Sequence, residues 1–238
     1  PPIITPMNAD ESINIPELRN QIERQIAGGV HGIFCFGTNG EGYILSMKEK
    51  EEILEATIDQ VAGRVPVYAG TGCISTADTV YMSRRAEEMG ADVLSIITPS
   101  FALASQEELY RHYVEVAKHV NIPIVLYNIP PRTGNKLLPE TVARLAKDVD
   151  VICGAKDSSG DIENLKAFIR VGQWLKSYTV YCTRQQQATA HLLALAGKNE
   201  RLNEILVHYK NTPDARKLDL PSYLIKPVQR ICKYPLLL

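Results

Sequence analysis

Six short apolar runs recur along the chain and end at nearly constant intervals. They occupy residues 3–5, 32–36, 65–69, 93–97, 124–127 and 151–155. They are continuously apolar rather than alternating, as expected of strands buried on both faces. Their ends, taken at Phe36, Ala69, Ile97, Tyr127 and Lys156, fall 33, 28, 30 and 29 residues apart. Between them lie amphipathic helical patterns at residues 48–61, 76–89, 106–120, 139–147 and 162–171. Met89 runs into Gly90 and Val120 into Asn121-Ile122-Pro123, both helix stops, and Pro139 suits the first turn of its helix. Strict βα alternation requires a parallel sheet, either a closed barrel or an open doubly wound sheet. The steady period favours an α/β fold of the (β/α)8 TIM-barrel type, which typically needs ~250 residues. Six βα units are readable by Gly172, and two more would close the ring.

Those two units are not evident after Gly172. Residues 177–182 can be read as a seventh strand and 188–196 as a helix after it. From Glu200 onward the pattern is helical with prolines, and no eighth buried strand stands out. Charge changes at the same place. Residues 1–172 hold 16 Lys and Arg against 23 Asp and Glu, and residues 173–238 hold 10 against 4. Fourteen of the 15 glycines precede residue 173. The expected organisation is an incomplete barrel over 1–172 and a helical segment, or a differently assigned barrel end, over 173–238.

Composition narrows the partners. At 45% apolar and 22% charged residues, the 238-residue chain is of ordinary globular type. Its net charge of −1 gives no global field toward nucleic acid or a membrane surface. No apolar run reaches the ~18 residues of a membrane helix, and no charged stretch leads into a secretory apolar core. Cys35, Cys73, Cys153, Cys182 and Cys232 form no C-x-x-C pair, so neither disulfides nor a zinc framework is expected. The reading is cytoplasmic, with no metal, cofactor, nucleic acid or membrane partner.

In such barrels chemistry sits on the loops that follow the strands. Three strand ends are unusual: Gly37-Thr38-Asn39-Gly40-Glu41-Gly42, Tyr127-Asn128-Ile129-Pro130-Pro131-Arg132-Thr133-Gly134, and Gly154-Ala155-Lys156-Asp157-Ser158-Ser159-Gly160. Lys156 closes an apolar strand. Burial disfavours the ammonium, and a neutral amine attacks carbonyls to form Schiff bases. The glycine-rich turn lets backbone N–H groups approach an anion, with Thr38 and Asn39 adding donors for a carboxylate. Tyr127 is placed to shuttle protons, and Arg132 to clamp a second carboxylate. Taken singly, each has a plainer reading: a lysine paired with Asp157, a tight turn, a core tyrosine at the rim, a solvated arginine.

Together, in this order and spacing, the three motifs resemble the dihydrodipicolinate synthase / N-acetylneuraminate lyase family of pyruvate-type class I lyases. The resemblance implies a barrel, usually tetrameric, in which Lys156 forms the Schiff base with a 2-oxo acid. Tyr127 would be the proton shuttle, with Thr38 in its hydroxyl relay. Thr38 and Asn39 would hold the carboxylate, and Arg132 the far end of a second substrate. One departure bears on the substrate: Thr98-Pro99-Ser100-Phe101 carries a phenyl ring where synthases of the family usually have a relay tyrosine. That favours a relative acting on 2-keto-3-deoxy sugar acids. Residues 173–238, by contrast, resemble part of the Dbl-homology domains that exchange nucleotide on Rho-type GTPases, with 174–182 and 192–209 like the leading helices and 220–238 like the third conserved region. The alternative expectation is therefore an exchange-factor fragment, or a non-catalytic chimera.

Overall fold

The structure, a computed structural model, describes residues 1–171, 190–212 and 220. The chain divides into two compact units, Pro1–Leu175 and Lys176–Leu238.

In the first unit five parallel strands form one sheet: β1 (Ile33–Cys35), β2 (Val67–Ala69), β3 (Val93–Ile97), β4 (Ile124–Asn128) and β5 (Ile152–Asp157). Their spatial order is their sequence order. A doubly wound sheet reverses direction at a switch point. Here every unit steps one place the same way, which is how a TIM barrel is wound, so the described strands are part of such a barrel. Seven helices accompany them: α1 (Ile15–Ala27), α2 (Met47–Val61), α3 (Thr76–Met89), α4 (Gln106–Ala117), the single turn α5 (Pro130–Thr133), α6 (Pro139–Asp148) and α7 (Ile162–Val171). α1 and α5 are additions to the five helical stretches read from the sequence. α4 stops at Ala117, three residues early, because the Lys118 N–H reaches back to both Val114 and Glu115 and tightens the last turn.

Six strands were expected by residue 155; the first becomes a single bridge between Pro2 and Phe34. Ile3 N–H donates to Phe34 O and Phe34 N–H to Pro1 O, and the pairing goes no further. The next rung would need Phe36, which leaves the extended line at φ 63°. Residues 177–182, read as a seventh strand, lie outside the described residues. In the second unit Glu200–Lys210 is helical, capped by the Asn199 side chain, which accepts from Leu202 N–H at 3.0 Å.

Register sorts the strand residues onto two faces. Ile33, Cys35, Val67, Ala69, Leu94, Ile96, Ile124, Leu126 and Ile152 are buried with Leu18, Ile22, Leu54, Met82, Leu109 and Leu145 from the helices. The other face carries Phe34, Tyr68, Ser95, Ile97, Val125, Tyr127, Gly154 and Lys156 in lateral rows. Helix ends are well specified. Ser46 with Glu49 and Ser105 with Glu108 form capping boxes, and α3 ends on Gly90 at φ 101°.

The core holds a histidine. His112 in α4 is buried; its Nδ1 bonds the Thr76 hydroxyl at 2.9 Å, while Nε2 has no partner among the described residues. Burial pushes its pKa down from 6.5 to about 4. The unfolded chain therefore takes up this proton first as pH falls. The stability is fully present above pH 6.5 and is lost as pH drops toward 4. We expect His112 to cost about 2 kcal/mol between pH 7 and pH 5. Denaturant unfolding at both pH values should show a steeper loss for the parent than for His112→Gln. Equal losses would remove His112 as the cause.

Candidate active site

The site forms where β1, β4 and β5 end. Thr38 opens a short 3-10 turn, Thr38–Gly40, directly after β1. The chain enters that turn through Phe36, held at φ 63°, where a non-glycine residue is strained. The Phe36 carbonyl is tightly boxed: a Cβ on Gly42 would lie 2.2 Å from its oxygen, and one on Gly70 2.6 Å. Those glycines are therefore required by close backbone approach, not by turn conformation alone.

β4 and β5 bring the other two residues together. Tyr127 is the register partner of Lys156, and Asn128 of Asp157. A register shift makes this possible. Ile124 faces Ile152, yet Val125 faces Gly154, so Cys153 is the extra residue on β5. Strict alternation from Ile152 would have turned Lys156 toward the helices; the shift turns it to the face that carries Tyr127. Asn128 locks the register, donating from Nδ2 to Asp157 Oδ1 at 2.6 Å and accepting from Leu137 N–H at 2.9 Å. Ser159 Oγ and Asn164 Nδ2 also donate to the Asp157 carboxylate, at 2.8 and 3.3 Å. Asp157 is thus occupied within the fold, and the plainer reading of a Lys156–Asp157 pair has no counterpart among the ion pairs of the described residues.

The Lys156 Nζ lies 3.4 Å from the centroid of the Tyr127 ring and 5.8 Å from that of Phe34. The Tyr127 hydroxyl is 3.3 Å from Thr38 Oγ1. Burial raises the Tyr127 pKa, but hydrogen bonding to Lys156 and Thr38 and the charge of Lys156 outweigh it, so the phenol sits below its ordinary value. A phenol made more acidic beside an amine is suited to giving and taking a proton. Beside the pair opens a cleft of about 60 Å³ whose walls include Phe34, Thr38, Gly72, Ser95, Ile97 and Tyr127.

Thr38, Tyr127 and Lys156 are thus brought together. Asn39 and Arg132 are not: both are exposed at the rim, outside the cleft lining. Phe101 projects beyond the loop after β3, 96% exposed and at φ 79°. Asn135 holds that loop, donating to the Pro99 and Ala102 carbonyls and accepting from Ala104 N–H, each at 2.8 Å. Ser95 escaped the sequence reading; its only signal was one hydroxyl inside Val93-Leu94-Ser95-Ile96-Ile97. Among the described residues no cluster of three or more His, Cys, Asp or Glu is arranged to hold a metal, and no helix is long and apolar enough to cross a membrane.

Fold and site together define a parallel βα protein of the TIM-barrel class with an amine and a phenol stacked at its strand ends. The dihydrodipicolinate synthetase family matches residues 1–199. A 4-hydroxy-tetrahydrodipicolinate synthase of Thermoanaerobacter sp. (strain X514) is 40% identical over 195 residues, covering 82% of this chain and 64% of that protein. The enzyme of the same name from Syntrophus aciditrophicus is 46% identical over 169 residues, covering 71% of this chain and 57% of the relative. Among solved structures, the chloride-inhibited dihydrodipicolinate synthase of Acinetobacter baumannii complexed with pyruvate superposes with TM-score 0.70 at 36% identity, over 73% of this chain and 59% of that one. The chain belongs to the dihydrodipicolinate synthetase family. It spans less than two thirds of the length of these relatives. The family match runs past the charge break at residue 172, through residue 199, so the resemblance is longer than the motifs alone suggest. Residues 173–199 of the segment read as Dbl-homology-like thus fall inside the family match, and no comparison supports that resemblance; of residues 220–238 only Leu220 is described.

Proposed function

We propose that this chain carries the Schiff-base site of a cytoplasmic class I lyase acting on pyruvate or a 2-keto-3-deoxy sugar acid. The observation that carries this reading is the Lys156 amine stacked on Tyr127, whose hydroxyl meets Thr38. The Lys156 amine attacks the C2 carbonyl of the 2-oxo acid. The resulting carbinolamine loses water, with Tyr127 giving the proton to the departing oxygen, and an imine remains. Thr38, and Asn39 if the rim closes on substrate, hold the carboxylate. Arg132, exposed and without an ion pair among the described residues, is free to take the far end of a second substrate. The protonated imine that Lys156 forms with the substrate is itself the electron sink. The family's tetramer is the assembly this reading expects.

The names of the relatives support synthesis from pyruvate. Phe101 supports the second reading, aldol cleavage or dehydration of a 2-keto-3-deoxy sugar acid, because a phenyl ring passes no proton. The test is incubation of the intact chain with pyruvate and borohydride. Hydride reduces the imine to a secondary amine, and mass spectrometry should find the added pyruvate carbons on Lys156. A chain that gains no mass would sink the proposal. Consumption of a 2-keto-3-deoxy sugar acid, with release of pyruvate by cleavage or of water by dehydration, would then separate the two readings.

A further inference from the structure

The residue that the mechanism leaves unused is Ser95, at the centre of β3. Its register partner is Val125, and Ile97, two residues on, faces Tyr127. Ser95 thus stands on the site's face of the sheet, one side-chain layer beneath Tyr127. Its neighbours in that layer are Val125 and Gly154, neither of which offers a side-chain polar atom. Only 4% of Ser95 is exposed, and its Oγ has no hydrogen-bond partner among the described residues. Leaving a buried hydroxyl unpaired forfeits its hydration with nothing in return. An alanine or valine there would avoid that cost and suit the layer.

Ser95 is nonetheless one of the residues that line the same cleft as Thr38 and Tyr127, its own Oγ tucked just beneath the surface. The cleft's volume of about 60 Å³ exceeds the roughly 10–15 Å³ that one water requires, and a buried water needs two to four polar partners. Ser95 Oγ, Thr38 Oγ1 and the Tyr127 hydroxyl supply three. We propose that Ser95 is a positioning residue: it fixes one water that extends the Tyr127–Thr38 pair into a proton path. This rests on the Schiff-base reading above. In the step it serves, the protonated imine loses a proton from C3 and becomes a neutral enamine. The C3–H electron pair becomes the C2–C3 double bond, and the C–N π pair returns to nitrogen. Tyr127 receives the proton while passing its own to Thr38, Thr38 passes one to the water on Ser95, and the water releases one to solvent.

The test follows the exchange of pyruvate methyl hydrogens for deuterium in D2O by NMR, in the parent, Ser95→Ala and Ser95→Thr. We expect Ser95→Ala to exchange roughly tenfold more slowly, about the value of one hydrogen bond. Borohydride trapping on Lys156 should be unchanged, and Ser95→Thr should exchange like the parent. Exchange at the parental rate in Ser95→Ala overturns the proposal. So does an equal loss of trapping and exchange, which marks a folding effect. A high-resolution crystal structure of the chain supplies a readout independent of turnover. A water bridging Ser95 Oγ to Thr38 or Tyr127 supports the site even if the parent traps no pyruvate, in which case the Schiff-base reading alone fails. A Ser95 hydroxyl bonded only to protein atoms overturns it.

Discussion

Lys156→Ala is expected to abolish borohydride-dependent labelling by pyruvate, while Lys166→Ala labels like the parent. Lys166 is a fitting control. It sits on α7, partly exposed, paired with Glu163 at 2.8 Å, and has no aromatic neighbour among the described cation–ring contacts. Lys156 offers the only primary amine that the described residues place against Tyr127. Removing it removes the bond-forming atom, so no residual rate through the imine remains and the loss should be complete within detection. Lys156→Arg refines the experiment. A guanidinium stays protonated and does not form the imine, yet it keeps a cation near the phenol. It should give no adduct while Tyr127 still titrates below its ordinary value, whereas Lys156→Ala should move the phenol upward. Ultraviolet titration of each variant, with the same variant carrying Tyr127→Phe subtracted, reads this one phenol among the eleven tyrosines. Full labelling in Lys156→Ala would remove the residue from the chemistry.

Tyr127→Phe should lower turnover by about 10²–10⁴-fold, the usual contribution of a positioned acid–base group. Imine formation should suffer less, because the amine remains and the phenyl ring still packs beneath it. Single-turnover trapping compared with steady-state turnover separates the two. The pH dependence has a defined sign. The Tyr127 phenol is held below the ordinary tyrosine value, so its protonated form is lost at lower pH than a free phenol's. A rate that needs the phenol as acid should decline on that earlier alkaline limb. The limb should vanish in Tyr127→Phe. Unchanged turnover in that variant would exclude Tyr127 from the mechanism.

Much of this was legible in the sequence, for particular reasons. α3 and α7 run over the residues that their periodicity indicates, and Ser75 and Gly90 bound α3 with local hydrogen bonds. β3 coincides with its apolar run. Such features depend on neighbours a few residues away. The short strands did not follow so closely. β1 and β2 keep only three residues each, since pairing stops where Pro66 and the strained Phe36 interrupt the ladder. The first strand shrank to one bridge because Phe36 turns out of the extended line where the next rung would form. Ser95 was overlooked because its significance lies in what it fails to bond, a property of packing. Asn128 and Asp157 could be seen only as motif members, not as the clamp that their 2.6 Å contact makes.

The sequence by itself determined the alternation of strand and helix, the step of about thirty residues and the three polar strand ends. These are set by side-chain polarity and local backbone preference. What only the tertiary structure decided is which way Lys156 points. Counting alternately from Ile152 puts Lys156 among the helices. The shift at Cys153 reverses every residue after it and sets the amine over Tyr127. A strand's side chains alternate with a period of two, so one extra residue exchanges its faces. Whether that residue is accommodated depends on the neighbouring strand's hydrogen bonds, and those come from residues some thirty positions away.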